Sequence, residues 1–264
     1  MGAFAGGEVG ASGVIDGNGR RAVAKWKWPA DPDAIVRLRE ASDIVERLSR
    51  RGALLPEYLA IEPIGDGVLV FQEFMPGAAS DQLPATLIDD LVAHNELQAH
   101  LSGSGPSWNE YLRASLAVGL DGYCQHSSLE QHSAATRRLL HRIHEAGRAL
   151  GDVILEERDV VHLDFHHRNA LANTGRLCAV IDCDGYRPGD RVFDLVTLAF
   201  CLAVAERPAA AEQRLWETIN RIRDRVIVNA YVAHQALRQV DWSIRHRTPD
   251  HLEAWMARST ALIA

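Results

Sequence analysis

The densest run of side chains capable of chemistry is His162-Leu163-Asp164-Phe165-His166-His167-Arg168-Asn169, set between the apolar pairs Val160-Val161 and Ala170-Leu171. Two short strands are predicted to hold it as a loop. Thirteen residues past Asn169, a second apolar run, Ala179-Val180-Ile181, ends in Asp182-Cys183-Asp184-Gly185. A hairpin joining the two runs would bring Asp164, Asn169 and Asp182 together as hard oxygen donors. That set suits Mg²⁺, which takes one or two carboxylates and leaves its other positions to water and substrate phosphates. Capping of a turn by Asp164 and Asn169 is the plainer reading, and the additional carboxylate of Asp182 argues against it. The same loop offers His162, Asp164, His166 and His167 as a zinc or iron set for a hydrolase. Such sites normally recruit further histidines downstream, yet the next histidine after His167 is His234, inside a helical segment.

A site directed at phosphate also needs a fixed cation. The chain carries 26 arginines but only two lysines, Lys25 and Lys27, both in the segment from Arg21 to Trp28. Alternation along that predicted strand puts Val23, Lys25 and Lys27 on one face and Ala22, Ala24, Trp26 and Trp28 on the other. Lys25 is favoured over Lys27 as a phosphate ligand by its distance from the preceding turn. The planar fork of arginine does not replace a compact ammonium lodged between phosphates and a carboxylate, which gives the retention of lysine on this one strand face a physical reason.

The elements that must position these groups fall into two classes. Seven of the 20 glycines lie in the first 19 residues, including Gly6 and Gly7, so the chain opens as a glycine-rich loop leading into a hairpin that turns at Asp16-Gly17-Asn18-Gly19. Ala34 to Arg51 reads as an amphipathic helix with Ile35, Leu38, Ile44, Val45 and Leu48 on one stripe and Asp33 as its N-cap. Tyr58 to Ile64 and Val68 to Phe74 are strand-like runs around Gly65-Asp66-Gly67, and Met75-Pro76-Gly77 interrupts the sheet. Beyond about residue 80 helical periodicity dominates, from Pro84 to Leu101, from His132 to Glu157 and from Val192 onward. Trp216, Trp242 and Trp255 are predicted core anchors there, and Trp108, Tyr111 and Tyr123 are better read as helix packing than as a pocket. The Pro-Gly break divides a small β-rich lobe, residues 1–76, from a larger, mainly helical lobe, residues 77–264.

The order H-x-D-x-x-x-x-N, then an I-D-x-D strand end, then Gly189-Asp190-Arg191-Val192-Phe193-Asp194-Leu195, resembles the aminoglycoside phosphotransferase and choline kinase family. The resemblance extends over almost the whole chain. It implies an α+β, two-lobed protein-kinase-like fold, with a small antiparallel β lobe carrying one helix and a larger mainly helical lobe. It implies Asp164 as the catalytic aspartate, Asn169 and Asp182 as Mg²⁺ ligands, and His166 as a cation near the γ-phosphate, where protein kinases have a lysine. Lys25 is similar to the strand lysine on the α and β phosphates of ATP or GTP, and Glu40 to the helix glutamate paired with it, with Glu46 its rival. Backbone groups of Glu73 and Met75, in Gln72-Glu73-Phe74-Met75, stand where the family reads adenine. Asp190 and Asp194 are expected to brace the catalytic loop or cap the next helix. Only five residues precede Gly6-Gly7, so a first strand that is very short or missing is expected.

Composition sets the outer bounds. With 264 residues, 47% apolar and 24% charged, the chain is an ordinary folded protein and needs neither disulfides nor a structural metal. Cys124, Cys178, Cys183 and Cys201 show no pairing pattern and read as reduced thiols. No secretion signal and no long apolar run occurs, so the cytoplasm is the expected compartment and membranes are not expected partners. A net charge of −7 argues against nucleic acid and favours a cationic small molecule. The resulting expectation is a kinase transferring the γ-phosphate of ATP or GTP to a hydroxyl of a cationic antibiotic, an aminoglycoside or a basic cyclic peptide such as capreomycin or viomycin, and so conferring resistance. The alternative is a kinase of choline, homoserine or a sugar-like alcohol. Lys25→Ala is expected to raise the nucleotide KM or lower kcat far more than Lys27→Ala in steady-state kinetics; the reverse order would reassign the phosphate ligand.

Overall fold

The computed structural model describes residues 2–3, 11–15, 17, 19–27, 32–79, 81–101 and 107–263. Gly6, Gly7, Asp16, Asn18 and Trp28 of the glycine-rich opening and its strand lie outside the described residues. The alternating segment around the two lysines forms the hairpin β2 (Ala11–Ile15) and β3 (Arg21–Lys27), with Ile15 opposite Arg21. The first strand, β1, is indeed short: Gly2–Ala3, paired antiparallel with β2. After the helix α1 (Pro32–Ser49) come β4 (Tyr58–Ile64) and β5 (Gly67–Glu73), which turn through Gly65 and Asp66 as predicted. These strands make one antiparallel sheet in the order β1-β2-β3-β5-β4.

Helix α1 begins two residues earlier than periodicity indicated, and Asp33 stands in its first turn instead of capping it. Proline suits that position because its missing N–H would have no intrahelical partner. The apolar stripe faces inward as read: Leu38 packs with Val68 and Val70 of β5, while Ile44, Val45 and Leu48 join the larger core. The sheet stops at Glu73, and Gly77 then takes a φ of 107°, with a hypothetical Cβ only 3.2 Å from the Ala172 carbonyl. Glycine is required there by both conformation and close approach.

The remainder is helical: α2 (Ala85–Glu96), α3 (Trp108–Ala117), α4 (His126–His132), α5 (Ala134–Ala149), α6 (Val192–Cys201), α7 (Ala209–Ile222), α8 (Arg225–Arg245) and α9 (Pro249–Leu262). All ten residues of α6 are buried, so this helix, apolar nearly all round, is a core element. The helix expected from His132 to Glu157 starts two residues later, at Ala134, behind Ser133, whose side chain and that of Thr136 form a reciprocal capping box. It also ends early, at Ala149, before Gly151 takes a positive φ of 45°. Trp108 and Trp255 are buried, whereas Trp216 and Trp242 are only partly so. No disulfide forms; Cys124, Cys183 and Cys201 are buried and Cys178 is partly exposed. No helix among the described residues is long and apolar enough to cross a membrane.

Two small antiparallel pairs interrupt the helices and carry the polar loop: β6 (Asp159–Val161) with β9 (Arg187–Gly189), and β7 (Ala170–Asn173) with β8 (Arg176–Val180). Asp194, fully buried on α6, accepts hydrogen bonds from the backbone N–H of His162 (2.7 Å) and Leu163 (3.1 Å) and from Gln98 Nε2 (2.9 Å). It thereby holds Leu163 in the left-handed region, φ 71°, a conformation costly for a non-glycine residue. Asp194 braces the loop, as expected. Asp190 is likewise structural, accepting from Arg223 Nε (2.6 Å) and the Tyr231 hydroxyl (2.8 Å). Asp194→Asn would set an amide N–H against one of these donors. It is expected to cost about 2–3 kcal/mol and lower Tm by roughly 4–10 °C by calorimetry; an unchanged Tm would show the brace to be dispensable.

Candidate active site

The loop after β6 folds around His162. This side chain is fully buried; its Nδ1 accepts the Asp164 N–H (3.3 Å), so Nε2 carries the proton and donates to the Ile181 carbonyl (3.0 Å). Both ring nitrogens are thus consumed in shaping the loop, and burial lowers the histidine's pKa. His166 contacts Asp164 Oδ2 (3.3 Å) and His167 contacts Asp81 (3.4 Å). The histidines therefore diverge, and the transition-metal reading loses its ligands. Among the described residues no group of three or more His, Cys, Asp or Glu side chains could hold a metal.

Asp164 is held from three sides. Arg238 of α8 reaches Oδ1 (2.9 Å), while Asn169 Nδ2 reaches Oδ2 (3.1 Å) and the Asp164 carbonyl (2.9 Å), beside the His166 contact. Burial opposes its ionisation, but Arg238 and His166 outweigh burial and hold the carboxyl far below the usual carboxylate range. Arg238 itself, although partly buried, is kept more basic than usual by Asp164. Sequence reasoning missed this arginine. Its only signal was a guanidinium on a helix whose neighbours Tyr231, His234, Gln235 and Asp241 are all buried.

The β7–β8 hairpin does bring the two polar runs together: Ile181 N–H donates to the Asn169 carbonyl (2.8 Å). Asp182, next along, adopts φ 63° and leaves 51% of its side chain exposed, whereas Asp184 is 9% exposed. The difference assigns their work. Asp184 is an internal counter-ion, in contact with Lys25 Nζ (3.4 Å), Lys27 Nζ (2.8 Å), the Tyr58 hydroxyl and Gln72 Nε2 (3.5 Å). Asp182 also meets Lys25 Nζ, at 3.0 Å. Burial works against the charge on Lys25, but Asp184 and Asp182 outweigh it and leave its pKa above the ordinary lysine value.

The expected Lys25–Glu40 pair does not form. Glu40 stands on the exposed side of α1, and Asp184 and Asp182 occupy the place beside the ammonium. The reason is rotational: Ala41, fully buried, points inward, and one residue turns the helix by about 100°, carrying Glu40 off the buried stripe. Glu46 is also exposed, paired with Arg50 one helical turn on.

A cleft of about 1150 Å³ gathers Lys25, Asp164, His166, Asn169, Asp182 and the Glu73–Met75 segment on one continuous lining. Glu40 is not on it. The family model for the phosphotransferase enzyme family matches residues 10–227. The chain belongs to that family. This phosphotransferase has the α+β protein-kinase-like fold of several solved structures. One is a thermostable mutant of the aminoglycoside phosphotransferase APH(4)-Ia, with 18% identity and a TM-score of 0.74, covering 99% of this chain and 92% of that one. Others are choline kinase LicA from Streptococcus pneumoniae (13% identity, TM-score 0.64, 100% and 93% covered) and macrolide 2'-phosphotransferase MphH from Brachybacterium faecium (13%, 0.57, 97% and 90%). Direct sequence comparison with curated proteins gives no match.

In the phosphotransferase, Asp184→Asn would leave two ammonium groups facing a neutral amide. Steady-state kinetics are expected to show a nucleotide KM raised about 10–100-fold, the size of a lost hydrogen bond to a charged group. Glu40→Gln, an exposed change, is expected to alter it by less than about twofold. The opposite pattern would restore the helix glutamate to the site.

Proposed function

We propose that this phosphotransferase moves the γ-phosphoryl group of ATP, or GTP, to a hydroxyl of a small-molecule acceptor, and that the acceptor is an antibiotic inactivated by the transfer, giving resistance. The observation that carries the reading is convergence: Lys25, 157 residues before Asp182 in the chain, touches it, and both share a cleft with Asp164 and Asn169. A relative of the same fold, a mutant of APH(4)-Ia, has been solved as a ternary complex with AMP-PNP and hygromycin B.

In this reading residues 1–76 form the nucleotide-binding lobe and residues 77–264 supply the catalytic loop and acceptor site. The Glu73 N–H is taken by the Glu57 carbonyl (2.9 Å), so Glu73 would meet adenine through its carbonyl and Met75 through its N–H. The guanidinium of Arg21 over the Phe74 ring, at 3.6 Å, steadies the segment between them. Lys25 would lie on the α and β phosphates and His166, if protonated, near the γ-phosphate. The donors fit Mg²⁺: Asn169 commits its amide nitrogen to Asp164, which turns the amide oxygen away from that carboxylate, and Asp182 presents a half-exposed carboxylate. Bound there, Mg²⁺ would neutralise phosphate charge.

Asp164 accepts the acceptor hydroxyl's hydrogen bond and aims its oxygen at the γ-phosphorus. As the new O–P bond forms and the bond to the β–γ bridging oxygen breaks, releasing the nucleoside diphosphate, the hydroxyl proton passes to Asp164. Because Arg238 and His166 make this carboxylate a weak base, its main contribution before bond formation is orientation. A coupled nucleotide-turnover screen over hydroxyl-bearing antibiotics, with product mass measured for one added phosphoryl group, tests the proposal. Turnover is expected to require Mg²⁺ and to fall about 10²–10⁴-fold in kcat in Asp164→Asn; undiminished turnover in that variant would overturn it.

A further inference from the structure

Asp184 holds two cations where one would neutralise it: Lys27 Nζ at 2.8 Å and Lys25 Nζ at 3.4 Å, both on the same carboxylate oxygen, Oδ2. Lys25 also meets Asp182 Oδ1, at 3.0 Å. Among the described residues Lys27 is paired with no carboxylate besides Asp184. The two aspartates differ in what the departure of a lysine would cost them. Asp182 is half-exposed and can exchange an ammonium for water at little cost, whereas Asp184 is nearly buried and has no such exchange. Tyr58 and Gln72 donate hydrogen bonds to its other oxygen but bring no charge. Burial works against the ionisation of Asp184, and the lysines, Lys25 ahead of Lys27, outweigh it and hold its pKa below the usual carboxylate value.

A lysine that serves phosphate has to turn from its carboxylates when the nucleotide arrives. Were Lys25 the only cation on Asp184, its turn toward the α and β phosphates would strand a buried charge, and nucleotide binding would carry that cost. Lys27 removes the difficulty by its place on the strand. Lys25 is paired with Val70 and Lys27 with Val68, which sets Lys27 one repeat, about 7 Å, farther from the Glu73–Met75 segment. It can stay on Asp184 while Lys25 moves. We propose that Lys27 is a positioning residue, the standing counter-ion of Asp184, and that it acts on nucleotide binding by releasing Lys25 to the phosphates. The inference rests on the phosphotransferase reading and assigns the second lysine of that same site.

The test uses the full chain with Mg²⁺ and follows AMP-PNP by titration calorimetry and adenosine by competition. Lys27→Met is expected to weaken AMP-PNP binding about 5–20-fold, the range of a lost contact to a charged group, because Lys25 is then held on Asp184. Adenosine, which has no phosphate to draw on Lys25, should bind that variant and the native chain alike. In an Asp184→Asn background no carboxylate needs the counter-ion, so Lys27→Met should add less than about threefold. Lys27→Arg keeps a cation that matches a carboxylate and should bind AMP-PNP within about threefold of the native chain. A Lys27→Met loss of full size in the Asp184→Asn background would put Lys27 on the phosphates themselves and overturns the proposal. Equal losses of AMP-PNP and adenosine, no loss of either, or no recovery in Lys27→Arg overturn it as well. Failure of the native chain to bind AMP-PNP overturns the phosphotransferase reading instead, so the two failures are told apart.

Discussion

The carboxylate of Asp184 sits between the ammonium groups of Lys25 and Lys27, with 9% of its side chain exposed and Tyr58 and Gln72 completing its hydrogen bonds. A buried charge is tolerable only when paired and hydrogen-bonded, and here the partners come from three strands, β3, β4 and β5. The segment that follows β8 is thereby fastened to the face of the sheet. Helix α1 closes over the same turn, Cys183–Gly185, from the other side. Asp182, two residues earlier, shares Lys25 with this carboxylate and keeps half of its side chain exposed.

A second constraint acts on the opposite wall. Asp194 gathers two backbone N–H groups of the catalytic loop, and His162 links the loop's start to Ile181 at the hairpin's end. The loop geometry is therefore determined by buried groups that never meet substrate. The partly exposed ones, Asp164, His166 and Asn169, line the cleft. Of the six described non-glycine residues with positive φ, two, Leu163 and Asp182, fall in this region. Both lie beside groups assigned to the reaction, the pattern expected when surrounding structure over-determines a strained position.

Much of the site was legible because its key residues are close in sequence. Asp164, Asn169 and Asp182 span a loop and one hairpin, whose pairing follows from two neighbouring apolar runs. The common face of Lys25 and Lys27 follows from strand alternation alone. The lysine's partner was not legible: nothing local distinguishes Glu40 from an outward-facing helix residue, since its side chain stands about 100° from the buried stripe and only the docking of α1 fixes which way that is. Asp184 sits in a short turn that nothing local marks as special, and only its burial against Lys25 and Lys27 makes it a counter-ion. Arg238 lies 74 residues beyond Asp164, and no motif links a helix residue to a loop so far away.

Helix boundaries divide along the same line. The start of α5 is encoded locally, in the capping pair Ser133 and Thr136, and lies within two residues of where periodicity places it. The amino-acid sequence by itself determined the order of elements, the two-part architecture, the catalytic loop and the lysine strand, all of which depend on residues within a few positions of one another. Only the tertiary structure decided which carboxylates neutralise Lys25 and which guanidinium restrains Asp164. Those are properties of side chains distant in sequence, and a net charge of −7 summed over the chain says nothing of how acids and bases are matched within one cleft.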